Sequence, residues 1–254
     1  MSHTEQAPAT AVGGSRVQRV RHELKRRTLS VLRLETLSPH VRSVTLGGEE
    51  LADFVSLSFD DHIKLFLPGM DGAPAVARDY TPRHFDRVAR ELTIEFALHG
   101  DGPAAAWAAQ ARVGQQLGIG GPRGSFIVPK DLDWHLLVGD ASALPAIARR
   151  LAELPAGATV CAIVQMPDVA DRRALSSVAD VRLQWVGDDA QCLAAVRAWQ
   201  PPAGEGFAWC AGEAASMAAL RRVLVDELGV ERHAVRAAAY WKRDAVAYHE
   251  NLSD

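Results

Sequence analysis

Cysteine is scarce in this chain, and the few thiols do not pair by spacing. The three cysteines among 254 residues, Cys161, Cys192 and Cys210, are far apart and form no Cys-x-x-Cys. Such a set supplies neither a disulfide framework nor a zinc or iron–sulfur ligand group. A reducing compartment follows, and no metal site is expected. Excess positive charge is also missing. Twenty-eight Lys and Arg face 31 Asp and Glu, for a net charge of -3, which argues against a nucleic-acid partner. No run approaches the roughly 18 apolar residues of a membrane span. The start, "MSHTEQAPATAVGGS", has no apolar core of a signal peptide. The expectation is a cytoplasmic chain with no membrane partner, and a monomer at this size. No G-x-G-x-x-G fingerprint and no nucleophile–base–acid set stands out either.

What is present suffices for a substantial core. Hydrophobic residues make up 48% and charged residues 23%, in a length that suits one large domain or two modest ones. Residues 1–15 read as a polar tail. The basic run "RVQRVRHELKRR" (16–27) reads as a solvated start to the fold. From Thr28 the texture is β: "TLSVLRLETL", "VRSVTLGG", "DDHIKLFLPG", "ELTIEFALHG" and "QLGIGGPRGSFIVP" are short runs ended by turn residues. An alanine-rich helix, Gly102–Arg112, interrupts them, with Pro103 fit for its first turn. After about Pro129 apolar strands alternate with helices, the pattern of βαβ units on a parallel sheet. The expectation is an antiparallel β-barrel over 16–129 and an open parallel α/β domain over 130–254, with a site at their junction.

Four stretches carry candidate chemistry. "RDYTPR" sets Arg78 and Tyr80 on one face of an extended strand and Thr81 and Arg83 on the other. Pro82 cannot donate to a ladder, so it marks an edge or a bend. Two arginine forks suit phosphate and a tyrosine suits a ring, but these residues alone are better read as a surface strand with ordinary salt bridges. "HGDGPAAAWA" runs from a strand through glycines into a helix N-terminus, where free N–H groups and the dipole suit an anion; an ordinary strand-to-helix connection reads equally well. "LLVGDASALPAI" joins the first parallel strand to its helix, where nucleotides dock in open α/β sheets. A capping turn without a ligand reads equally well, with Ser142 a candidate cap of that helix. "WCAGEAASM" places Glu213 at a second strand's carboxyl end, for dipole complementarity or for a ribose or nicotinamide.

The order of these signals resembles the siderophore-interacting protein family, a branch of the ferredoxin–NADP⁺ reductase-like flavoproteins, from about Thr28 to Trp241. The resemblance implies a six-stranded FAD-binding barrel and an α/β domain that receives NADH or NADPH, together an FAD-dependent oxidoreductase acting on ferric siderophores. A flavin takes the two electrons of a hydride and returns them singly, so the resemblance implies no catalytic residue beyond the cofactor. It assigns Arg78, Tyr80, Thr81 and Arg83 to the flavin and its phosphates. It puts His99, Gly100, Gly102, Pro103 and Ala104 along the isoalloxazine and pyrophosphate. Asp140, Ser142 and Glu213 would face the nicotinamide cofactor, and Tyr240 and Trp241 would shield the flavin. Lys64, Arg123 and Lys242 or Arg243 match the basic set for an anionic siderophore. Two departures stand out. The family's usual Gly-Asp-Glu-Thr reads Gly139-Asp140-Ala141-Ser142, and Asp244 replaces a common glycine. Rival readings are a general flavin or quinone reductase of the same fold and a non-enzymatic ligand-binding module. A ferredoxin is an alternative electron donor.

Overall fold

The computed structural model describes residues 16–69, 74–98, 102–243, 245 and 250–252. The basic run near the start is a largely exposed start to the fold, as expected, and it includes a strand. Its strand β1 (Gln18–Arg21) anticipates a hairpin-like pairing far downstream. Next come β2 (Arg26–Ser38), β3 (Val41–Gly47), β4 (Ile63–Leu67), β5 (Val76–Tyr80), β6 (His84–Asp86) and β7 (Glu91–Ala97). Helix α1 (Pro103–Gln110), β8 (Gln116–Gly120) and β9 (Gly124–Ile127) complete this half. β1 pairs antiparallel with β9.

Seven strands form one antiparallel sheet in the order β5-β4-β8-β2-β3-β7-β6. β5 and β6 are consecutive in the chain yet occupy opposite edges. Only Thr81, Pro82 and Arg83 separate them. The sheet must therefore curl until its edges nearly meet. Counted as one strand broken at Pro82, β5 and β6 make the expected six-stranded barrel. Proline explains the break, since it has no N–H to offer a ladder. Alternate residues point inward and fuse into one core: Leu29 and Val31 from β2, Val44 and Leu46 from β3, Ile63 and Leu65 from β4, and Leu92, Ile94 and Phe96 from β7. Trp107 and Ala108 of α1 join that core.

The second half alternates β10 (Trp134–Gly139), α2 (Leu144–Glu153), β11 (Thr159–Gln165), β12 (Asp180–Val186), α3 (Asp189–Ala198), β13 (Gly206–Glu213), α4 (Ala214–Arg222), β14 (Val235–Trp241) and β15 (Glu250–Asn251). The sheet order is β12-β11-β10-β13-β14-β15. All pairings are parallel except β14 with β15. The central strands are apolar on both faces, as a covered parallel sheet requires. On β13, Phe207, Trp209 and Ala211 enter the core under α2, whereas Ala208 and Cys210 enter the core under α3 and α4.

The two halves meet along a polar seam. Asp60, buried in the first half, lies 2.9 Å from Arg236 Nε of β14. It also accepts from Trp209 Nε1 at 3.3 Å and from Ser58 Oγ at 2.9 Å. Arg149 of α2 donates to the carbonyl of Pro82 at 2.9 Å and to Ser56 Oγ at 2.8 Å, so it grips the bend that splits β5 from β6. Asp171 accepts from the backbone N–H of His40 and sits 3.0 Å from its Nδ1. His40, Asp168 and Asp171 are a group of metal-ligating type, but these bonds make Asp171 a brace between the halves.

His135 of β10 is 2% exposed. Burial, with Arg150 adding to it, pushes its pKa down from 6.5 to about 4. The folded chain therefore stays unprotonated at this ring while the unfolded chain takes up a proton below about pH 6.5. Stability is lost as pH falls from there toward 4, by about 3 kcal/mol from this ring. Denaturant titrations of His135→Asn should show a shallower decline over that interval than wild type.

Candidate cofactor cleft

A cleft of about 340 Å³ opens where the broken barrel strand faces the carboxyl ends of β10 and β14. Its barrel wall is Arg78, Asp79, Tyr80 and Thr81, with Val41, Glu95 and Ala97 beside them. Its floor includes the start of α1, Gly102 to Ala105. The opposite wall is Ala141, Ser142, Leu144, Pro145 and Met166, with Arg173, Tyr240 and Trp241. His62 stands at its edge.

Alternation along a continuous strand would have turned Thr81 away from Arg78 and Tyr80. β5 ends at Tyr80, and the chain bends at Pro82, so buried Thr81 faces the cleft with them. Tyr80 packs on Phe96, ring centroids 4.6 Å apart. Burial raises its phenol to about 12, so it stays a neutral hydroxyl. Arg78 donates to the adjacent carbonyl of Ala77 at 2.9 Å and forms no ion pair among the described residues. A guanidinium held at a cleft without a carboxylate is suited to an incoming anion. Arg83 does not reach the cleft. It lies beside Glu95 instead, Nε 3.2 Å from Oε1, and Glu95 is the residue on the lining.

Helix α1 begins without a side-chain cap: Gly102 is its N-cap and Pro103 holds the first turn. The N–H groups of Ala104 and Ala105 lack intrahelical partners by position. With Arg78 they fit the diphosphate of a dinucleotide such as FAD, and Tyr80 and Thr81 fit its ring side. His99 and Gly100, which the sequence reading put here, lie outside the described residues.

At the sheet ends the expected roles are redistributed. Ser142 lines the cleft but does not cap α2, whose N-cap is Ala143 with no side-chain bond. Its hydroxyl and N–H both go to Asp140 Oδ1, at 2.5 and 2.8 Å. Asp140 is turned away from the cleft lining. Its Oδ2 accepts the N–H of Glu213 at 3.0 Å and Nε1 of Trp241 at 2.8 Å. Burial raises the Asp140 carboxyl while these four donors pull it down; the net is upward. The brace needs Gly212, where a Cβ would stand 2.5 Å from Asp140 Oδ2. Glu213 is the N-cap of α4, accepting from Ala215 and Ser216 at 2.7 and 3.0 Å. Burial alone would raise its carboxyl, but the N–H groups of Ser216, Arg243 and Ala215 outweigh it and hold it low. Asp140 thus fixes Trp241 on the wall, and the Glu213 carboxylate caps α4. Tyr240 lies against Thr81 and edge-on to Trp209, centroids 6.2 Å apart.

The basic set is dispersed. Lys64 pairs with Asp79 at 2.9 Å on the rim. Arg123 is exposed and forms no ion pair among the described residues. Lys242 is exposed, and Arg243 reaches Asp189 at 2.7 Å. Sequence reasoning missed Glu95, Met166 and Arg173. Glu95, a charge at the centre of the apolar run "ELTIEFA", was the one available signal.

Comparison with known proteins agrees with this geometry. The family model described as siderophore-interacting protein matches residues 132–244, and that of the siderophore-interacting FAD-binding domain matches 30–75 and 70–126. The chain is 38% identical over 246 residues to the NADPH-dependent ferric-chelate reductase of Escherichia coli, covering 88% of this chain and 96% of that one. It is 33% identical over 251 residues to a ferric vibriobactin reductase of Vibrio cholerae, covering 88% and 93%. A siderophore utilization protein from T. fusca superposes with a TM-score of 0.84 at 33% identity, over 91% of this chain and 98% of that one.

Proposed function

The chain belongs to the siderophore-interacting protein family, and from that premise we propose that it is an FAD-dependent reductase of ferric siderophores that draws electrons from NADPH or NADH. The observation that carries the reading is the cleft itself. It joins an arginine with no ion pair among the described residues, an uncapped helix start and a phenol on the barrel side to a parallel sheet's carboxyl ends on the other. Arg78 and the first turn of α1 would hold the flavin's diphosphate, while Tyr80 and Thr81 would orient its ring. Bound FAD supplies the conversion between a two-electron donor and a one-electron acceptor. Ser142 and Trp241 border the wall the nicotinamide would approach, and Asp140 fixes Trp241 there. The donor would share this wall with the indole of Trp241.

Lys64 and Arg123 are the rim cations this reading assigns to an anionic ferric siderophore. Local positive charge raises encounter rate even on a net-acidic chain. Iron reduced to Fe(II) is held less tightly by hard oxygen donors and leaves. In the same reading the protein is a cytoplasmic monomer, with a ferredoxin as an alternative donor. Binding measurements on the Lys64→Ala/Arg123→Ala protein test the rim. The expected result is weaker binding of anionic ferric siderophore, by about 10-fold, with FAD content unchanged. Loss of FAD instead would move these residues into the cofactor site.

A further inference from the structure

On the outer face of the barrel, next to the rim, an arginine lies over a phenylalanine. β4 turns Ile63 and Leu65 into the core and Lys64 and Phe66 outward. Gly120 and Gly118 of β8 stand opposite Lys64 and Phe66, and Arg26 of β2 stands opposite Gly120. These residues therefore share the outer face. The two glycines leave room on β8 for a neighbour's side chain. The Phe66 ring takes it: a Cβ at Gly120 would stand 3.1 Å from Phe66 Cε2, and one at Gly118 3.5 Å from Cδ2. Arg26 crosses the same strand, and its guanidinium carbon sits 4.3 Å from the Phe66 ring centroid. Arg26 is exposed and forms no ion pair among the described residues. Lys64 pairs with Asp79 at 2.9 Å, and Asp79 lines the cleft. The platform thus runs up to the barrel wall of the cleft.

Resting on the reductase reading, we propose that Arg26, carried on Phe66, is a substrate-docking residue that favours ferric siderophores whose iron ligands are aryl oxyanions. A guanidinium is planar and stacks on aromatic faces, and its N–H fork donates to oxygen anions. With Phe66 under one side of it, the exposed side of Arg26 can take a ring of the ligand. Its fork then meets the oxygen atoms on that ring. An aliphatic carboxylate chelate could use the charge but not the stacking surface, and a neutral hydroxamate chelate could use neither well. Lys64 has its charge partly answered by Asp79, so Arg26 is the stronger local attraction for an anion. The glycines belong to the device, since a side chain at Gly120 would press on the Phe66 ring.

The test measures binding to oxidised, FAD-loaded protein without NADPH, so that no electron moves. Three probes are titrated against tryptophan fluorescence: ferric enterobactin, a tris-catecholate; ferric citrate, an aliphatic anion; and ferrichrome, a neutral trihydroxamate. The expected result is that Arg26→Ala raises the Kd for ferric enterobactin by about 10-fold. The same variant raises that for ferric citrate by about 3-fold at most and leaves ferrichrome unchanged. Arg26→Lys should recover the citrate affinity but not the enterobactin affinity, because it restores charge without the planar group. Phe66→Leu should reproduce most of the enterobactin loss by removing the support under the guanidinium. FAD content and thermal midpoint stay at wild-type values in both Arg26 variants. An unchanged enterobactin Kd in Arg26→Ala would show that the arginine only covers an apolar ring, and would overturn the proposal. Equal losses for enterobactin and citrate would overturn it too, since charge alone would then be recognised. Fe(II) release from the reduced protein is a separate readout. Wild type that shows this Kd pattern but reduces no iron would sink the reductase reading and leave the docking site standing.

Discussion

Arg78→Ala is expected to weaken FAD binding by about 10- to 100-fold while leaving the fold intact. A charge-assisted hydrogen bond contributes about 1.5–3 kcal/mol, and a fork on a diphosphate can make two. Each 1.4 kcal/mol is a tenfold change in Kd. The effect falls on binding because, among the described residues, the Arg78 side chain hydrogen-bonds only the neighbouring carbonyl of Ala77. Arg78→Lys should recover part of the loss, since it restores charge without the planar fork. The measurement is flavin fluorescence quenching at two salt concentrations. An unchanged Kd would remove the arginine from the cofactor site.

Arg236→Met is expected to have the largest effect on stability, about 3–5 kcal/mol, because it leaves Asp60 buried without its cation. Asp60 side-chain exposure is 4% and that of Arg236 is 18%, so solvent cannot replace the lost charge. For a chain of this size the thermal midpoint should fall by about 2–4 °C per kcal/mol. Ser58 and Trp209 would keep two hydrogen bonds on the stranded carboxylate and soften the loss without cancelling it. The double variant Asp60→Leu/Arg236→Met should recover much of it, since replacing a whole buried pair is often near neutral. A double variant no more stable than Arg236→Met would show that the pair is not what joins the halves there.

Much of the architecture was legible because the two periodicities are clean. Alternation in "TLSVLRLETL" and "VRSVTLGG" became β2 and β3, and the unbroken apolar run "WHLLVG" became β10, buried on both faces. β1 was not legible. Its cations hide a strand whose partner, β9, lies about a hundred residues away, and local pattern carries no information on such pairing. The same holds for β5 and β6: Pro82 announced a bend, but not that its two arms would close opposite edges of one sheet.

The site divides along similar lines. Arg78, Tyr80, Thr81 and the start of α1 converge because they are close in sequence or fixed by one bend. Arg83 does not, since one residue past the bend it meets Glu95. Ser142, a candidate cap of α2, serves Asp140 instead. The resemblance implied that Asp140 and Glu213, at the carboxyl ends of β10 and β13, face the nicotinamide cofactor. There, backbone N–H groups and the Trp241 indole reach those carboxylates first. Arg173 follows the 3-10 turn Val169–Asp171 and comes to Glu95 only through packing of the two halves.

The most direct test of the account is anaerobic and needs only the FAD-loaded protein. Flavin reduced beforehand with NADPH is mixed with ferric siderophore, and its reoxidation is followed alongside trapping of Fe(II) by a ferrous chelator. The account predicts reoxidation that rises with siderophore concentration, with two Fe(II) released per flavin reoxidised. Reoxidation no faster with the ferric siderophore than without it, in protein that holds FAD and accepts electrons from NADPH, would contradict the central claim and leave a flavin or quinone reductase of the same fold.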